Sequence, residues 1–186
     1  MTDPAWEPPI AGTDVEHVVG TLERLRATFR WKAGDLDVDQ LRARPVPPSE
    51  LSLGGLLKHL AVCEDDVFSW RMCGERPVTW TLAPEDDVER WQFTVDPDET
   101  AEQVYAIWAD AVGRSRVTLA RLLDEGDLDQ PGHLDYGGER PCLRRHLHDL
   151  IEEYGRHTGH ADLLREVIDG RVGEDPPRDW PMIPPL

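Results

Sequence analysis

The chain has 186 residues, 39% of them hydrophobic, with 20 Lys+Arg set against 37 Asp+Glu for a formal charge of -17. That length suits one domain with a single sizeable core, and the negative field opposes docking on phosphate backbones or anionic lipid, which argues against nucleic-acid and membrane partners. No apolar run approaches the roughly 18 residues of a membrane span, and MTDPAWEPPIAGTD carries no basic leader or apolar signal, so a cytoplasmic protein is expected.

After the Pro-rich leader (residues 1–13), Asp14 reads as an N-cap, and Val15, Val18, Val19, Leu22, Leu25 and Phe29 recur at helical spacing. They predict a first helix over 14–33. The prolines of 43–50 remove amide donors and force extended backbone, so this stretch is a linker into Ser52. Ser52 caps a second helix carrying Leu53, Leu56, Leu57, Leu60, Val67 and Phe68, and ending near Gly74. Residues 75–97 mix Pro, Trp and acids and read as an irregular crossover, with at most a short helix starting at Pro84. Asp98 or Thr100 opens a third helix, whose apolar positions include Val104, Trp108, Val112, Val117 and Leu119 and which runs to Gly126. A turn-rich loop over 127–141 leads into a fourth helix marked by Leu143, Leu147, Leu150, Tyr154, Leu163 and Val167. It stops at Gly170, before a Pro-rich tail over 171–186 that is expected to lie extended on the surface. Four long helical segments without a convincing strand predict an all-α four-helix bundle, one domain over 1–186, with a long crossover between helices two and three.

Three cysteines, Cys63, Cys73 and Cys142, without a CxxC pair suggest neither a disulfide framework nor a thiolate zinc knuckle. No GxGxxG or P-loop occurs, and Ser52-Leu-Gly-Gly lacks the frame of a nucleophile elbow. The acidic clusters Glu64-Asp65-Asp66 and Glu85-Asp86-Asp87 read as solvated faces, and Trp31, Trp70, Trp91 and Trp108 as core.

The histidines carry the signal. Six of the seven, His59, His133, His146, His148, His157 and His160, lie in or beside helices two and four. Glu153 and His157, four apart, share a helix face and can bite one metal. His160 follows three residues later, and His146 precedes Glu153 by seven. A carboxylate with one or two imidazoles suits Zn, Ni, Fe or Mn with a position left open. His59, polar among Leu57, Leu60 and Ala61 in LGGLLKHLAV, is the best third ligand, because a polar group among leucines needs a partner. Cys63, four residues after His59, is the rival ligand, although a small core hydrophobe is its ordinary role. His146 and His148 point to different sides of the helix and read as structural or supporting, and His133 as an exposed loop histidine. Taken singly, His59 reads as a satisfied or exposed histidine and the Glu153–His157 pair as a solvated face. Together they read as a site.

LSLGGLLKHLAVCEDDVFSW and DLIEEYGRHTGHADLLREVIDG resemble the DinB/YfiT-like superfamily of metal-binding four-helix proteins, in its actinobacterial branch, with similarity over most of the chain. The resemblance implies a metal held between a helix-two histidine, here His59, and a pair four apart on the last helix, here Glu153 and His157. Many relatives have histidine where this chain has Glu153, whereas the mycothiol-dependent maleylpyruvate isomerases use glutamate. Many have glutamine where this chain has His160, which leaves His160 as a fourth ligand or a supporting donor. The relatives include isomerases and transferases using low-molecular-weight thiols, since a divalent ion stabilises thiolate, the actual nucleophile. The expected function is therefore a metal-dependent transferase or isomerase, with zinc ahead of nickel or iron, a thiol such as mycothiol as cofactor, and a small electrophile as substrate. The alternatives are a non-catalytic metal-holding or ligand-sensing bundle and a metal-dependent hydrolase. A homodimer is also expected, with Trp91 or Trp180 covering an apolar patch on the partner.

Overall fold

The structure, a computed structural model, describes residues 4–85 and 87–180. Among the described residues it is all-helical and no strand forms; a lone bridge, Pro131 to Cys142, pins the loop ahead of the last helix. The four long helices are α1 (Asp14–Ala33), α3 (Leu53–Asp65), α6 (Ala101–Glu125) and α7 (Leu143–Asp169). Three short ones lie between them: α2 (Val38–Arg42), α4 (Thr79–Leu82) and α5 (Val88–Trp91). α3 runs on as a π-helical segment over Asp66–Met72, so the second predicted helix ends near Gly74 as expected but changes its winding on the way. None of the described helices is long and apolar enough to cross a membrane.

Helix starts follow the capping chemistry. Thr13, not the predicted Asp14, caps α1: its hydroxyl accepts from the Glu16 amide at 3.2 Å and the Glu16 carboxylate accepts from the Thr13 amide at 2.7 Å. Asp14 becomes a first-turn acid, favourable at the positive end of the helix. Thr100 and Gln103 build the same reciprocal box on α6, and Ser52 caps α3 through the Gly55 amide.

α1 packs along α7, while α3 packs on both α6 and α7, and the apolar stripes meet in one core that includes Leu22, Phe29, Leu56, Leu60, Val104 and Leu147. The predicted stripes overreach at Val117, Leu163 and Val167, which face solvent. The acidic cluster is a larger correction: Glu64 and Asp65 are fully buried. Asp65 receives Arg114 and the Thr79 amide, and Glu64 receives Arg26 and Tyr154, because charges leave water only when matched by partners. Trp91 is not available to a partner either. It is buried, with the Lys58 ammonium 4.1 Å above its ring. The described part of the tail is tied to α1 and the leader, through an Arg24–Asp175 ion pair at 2.8 Å and a Trp6 indole donating to the Pro177 carbonyl at 3.3 Å. Residues 181–186 of the predicted extended tail, and Asp86 of the second acidic cluster, lie outside the described residues.

Candidate metal centre

The site begins with a glycine. A Cβ on Gly55 would stand 2.6 Å from the Phe93 carbonyl, so only glycine lets the segment after α5 ride directly on the backbone of α3. Lys58 holds that segment from the other side by donating to the Thr94 carbonyl at 2.7 Å and to Glu99 at 2.9 Å. The docked segment brings two side chains onto His59. Phe93 stacks on the imidazole, with ring centroids 4.6 Å apart and 22° between planes, and the Gln92 Oε1 lies 2.9 Å from His59 Nδ1. Neither Gln92 nor Phe93 shows in the sequence as part of a site, since the segment has no periodicity and its register depends on the docking.

With Nδ1 facing an amide oxygen, that nitrogen carries the proton, and the Nε2 lone pair points toward α7. There Nε2 lies 3.5 Å from Glu153 Oε2, and the same carboxylate oxygen lies 3.3 Å from His157 Nε2. One ligand atom each from His59, Glu153 and His157 fall within 4.8 Å of one another. Atoms bound tetrahedrally at about 2.0–2.2 Å from one ion are about 3.3–3.6 Å apart. The two carboxylate edges of this triangle therefore have the span of a tetrahedral site, and the donor set of two imidazoles and a carboxylate fits a divalent ion. Burial first, then the neighbouring His59, lower the His157 pKa to about 4 against the pull of Glu153, so its imidazole is neutral at physiological pH, the form that donates a lone pair.

The other residues singled out by sequence separate around this triangle. His160 Nδ1 lies 3.3 Å from His157 Nδ1, behind the ring and opposite the nitrogen that faces Glu153. Cys63 Sγ comes within 3.6 Å of His59 Nε2 but stands beside the three mutually close donors rather than among them. Burial and then Glu153 push the Cys63 thiol well above its usual value, so it stays protonated. His146 shares the stripe of Glu153 only in projection: seven residues correspond to about 10 Å along the axis, and it lines a separate cleft. His133 and His148 are exposed. A cavity of about 310 Å³ opens against Cys63, Asp66 and Glu153, giving the triangle an approach from solvent.

Directly behind the triangle lies a buried polar network. Tyr154, next in sequence to Glu153, donates to Glu64 Oε1 at 2.7 Å and accepts from the Trp108 indole at 3.0 Å. Arg26 grips Glu64 with Nε at 2.7 Å and Nη2 at 2.5 Å. The network joins α1, α3, α6 and α7 and fixes α3 and α7, which carry the triangle, against each other.

Comparison with known proteins agrees with this architecture. A conserved protein from Enterococcus faecalis, known from its crystal structure, superposes with a TM-score of 0.59 at 19% sequence identity, covering 87% of this chain and all of that one, which shows a shared fold. No curated protein matches the sequence. The model of the mycothiol-S-transferase family matches residues 17–170, a span that takes in the three converging side chains and nearly all of the four long helices. On that match the chain belongs to the mycothiol S-transferase family, one of the DinB/YfiT-like families.

Proposed function

We propose that the protein transfers a low-molecular-weight thiol, mycothiol or a close analogue, to a small electrophile at a divalent ion, best zinc, held by His59, Glu153 and His157. The convergence of those three donors, with both carboxylate edges at the span of a tetrahedral site, carries the reading. Family membership supports the thiol. A bound divalent ion would supply the charge that favours thiolate over thiol at neutral pH.

The chain's own groups prepare the site for that chemistry. Gln92 fixes the His59 tautomer and Phe93 covers one face of its ring, leaving Nε2 as the exposed donor. With Nε2 of His157 on an ion, its Nδ1 would carry the proton, and His160 Nδ1, 3.3 Å away, stands where it would accept it. The cavity beside Glu153 admits the thiol, whose sulfur forms a bond to the electrophilic carbon while the leaving group departs with its electron pair and the thiol proton passes to water.

Elemental analysis of the purified protein should find about one divalent ion per chain, and His157→Ala should lose it. Mycothiol should then bind metal-loaded protein and not stripped protein, and should form an adduct with a model electrophile. Tight metal with no effect on thiol binding overturns the transferase reading in favour of a metal-holding bundle. Turnover of an ester or amide without thiol overturns it in favour of a hydrolase.

A further inference from the structure

Cys63 borders the triangle from α3, one turn beyond His59, and lines the same cavity as Glu153. Its Sγ lies 3.6 Å from His59 Nε2, the atom that also faces the Glu153 carboxylate at 3.5 Å. With Gln92 on Nδ1, Nε2 has a lone pair and no proton, so the Cys63 thiol donates to it. Thiol and carboxylate thus meet at the nitrogen that would bind an ion. A sulfur at about 2.3 Å and a nitrogen at about 2.0–2.1 Å from one tetrahedral ion are about 3.5 Å apart. The edge from Cys63 to His59 has that span already. Cys63 is not one of the three donors that all fall within 4.8 Å of one another, so the α7 donors must close on its sulfur, which the partly exposed Glu153 side chain can do by turning about its own bonds.

Charge favours that closure. A divalent ion between two neutral imidazoles and one carboxylate keeps one positive charge at the edge of an apolar core, where uncompensated charge is costly. A thiolate cancels it. Coordination deprotonates a thiol outright, so the raised pKa of the free Cys63 thiol does not stand in the way. The other two cysteines lie elsewhere: Cys73 is against Arg121 on α6, and Cys142 precedes Glu153 by about three turns of α7. Four protein donors close a tetrahedral ion, whereas a reacting site needs one position open. A fourth donor beside a thiol-binding site must therefore give way to the thiol.

We infer that Cys63 is the fourth donor of the candidate metal centre, occupying at rest the position that an incoming thiol takes. On loading, the Cys63 S–H bond breaks, its proton passing to water and its electron pair to the ion. When a thiol enters, that thiol's proton goes to the Cys63 sulfur, which yields the position. One thiolate replaces another, and the charge of the site is unchanged. The donor role rests on the metal reading above, and the exchange on the thiol-transfer reading.

Cobalt(II)-loaded protein, free of added thiol, reports the donor through the near-ultraviolet charge-transfer band of a cobalt–sulfur bond. Wild type and Cys73→Ser should show the band. Cys63→Ser and Cys63→Ala should lose it while keeping the visible bands of bound cobalt, and should hold zinc roughly tenfold or more weakly. Added 2-mercaptoethanol should restore the band in Cys63→Ala, because an external sulfur then fills the position. Bound cobalt without the band in wild type, or a band that survives in Cys63→Ser, overturns the inference and leaves the triad standing. Failure of 2-mercaptoethanol to restore the band overturns the exchange. A wild type that binds no cobalt overturns the metal reading and the inference together.

Discussion

Tyr154→Phe isolates the network behind the metal centre, because it deletes one oxygen and leaves the ring packing in place. Tyr154, Glu64, Arg26 and Trp108 are all at most 2% exposed, so water cannot substitute for the lost group. The variant removes a hydrogen bond to a charged acceptor, worth about 1.5–3 kcal/mol net, and strands the Trp108 N–H, at about 1–3 kcal/mol. Both costs are drawn from one small cavity and overlap, which gives an expected loss of about 2–4 kcal/mol out of a total stability of about 5–15 kcal/mol. At about 2–4 °C per kcal/mol for a chain of this size, the Tm should fall by about 5–15 °C. Glu64→Gln should cost at least as much, about 3–5 kcal/mol, because it leaves Arg26 buried with its main counter-charge gone. Urea unfolding in the presence of chelator, followed by circular dichroism and by tryptophan fluorescence, measures both without metal linkage. A loss below about 0.5 kcal/mol for Tyr154→Phe, the size of an ordinary surface substitution, would refute the view that the network fixes α3 against α7.

Three further outcomes follow from the same geometry. A chelator should lower the Tm of the wild type by about 5–11 °C if the free ion stands near 100 times its Kd, equivalent to about 2.7 kcal/mol, and should leave His157→Ala unmoved; coincident melting curves for treated and untreated wild type contradict this. Gly55→Ala should displace the segment bearing Gln92 and Phe93, at about 1–3 kcal/mol, and weaken metal binding about 10- to 100-fold, read by competition with a chelating dye. Burial keeps His146 below its unfolded pKa, so its contribution is intact above about pH 6.5 and is lost as pH falls from there toward the lower folded value. Between pH 7.5 and 5.5 the wild type should therefore lose more stability than His146→Phe, and parallel losses would exclude the linkage.

The four long helices were legible because their apolar residues repeat at helical spacing and their ends carry Thr, Ser and Gly. The convergence of His59, Glu153 and His157 was legible for a related reason: i, i+4 spacing is a property of one helix, and His59 stood out as an imidazole among leucines. What stayed hidden depends on contacts distant in sequence. Gln92 and Phe93 reach His59 across 33 and 34 positions, and only the docking permitted by Gly55 sets their register. Glu64 and Asp65 looked solvated because three consecutive acids usually are. Their partners Arg26, Arg114 and Tyr154 lie 38, 49 and 90 residues away. Capping missed by one residue at Thr13, where hydroxyl and carboxylate compete for the same role.

The placement of the buried charges bears on the chemistry as well as on stability. A bundle that holds two imidazoles and a carboxylate at the edge of its core must keep α3 and α7 at a fixed separation, since an error of about 1 Å in ligand spacing already exceeds the tolerance of a metal site. Apolar packing alone tolerates such slippage, because leucines accept many arrangements of similar energy. A bidentate guanidinium–carboxylate pair does not, because its parallel hydrogen bonds fix direction as well as distance. Here that pair and the Tyr154 hydroxyl stand one residue from Glu153 on α7 and five from His59 on α3, close enough that any shift of either helix breaks a hydrogen bond before it opens the triangle. The acidic run after LLKHLAV is thus part of the frame of the candidate metal centre, and its burial helps to hold three side chains from two helices at spacings that one ion could share.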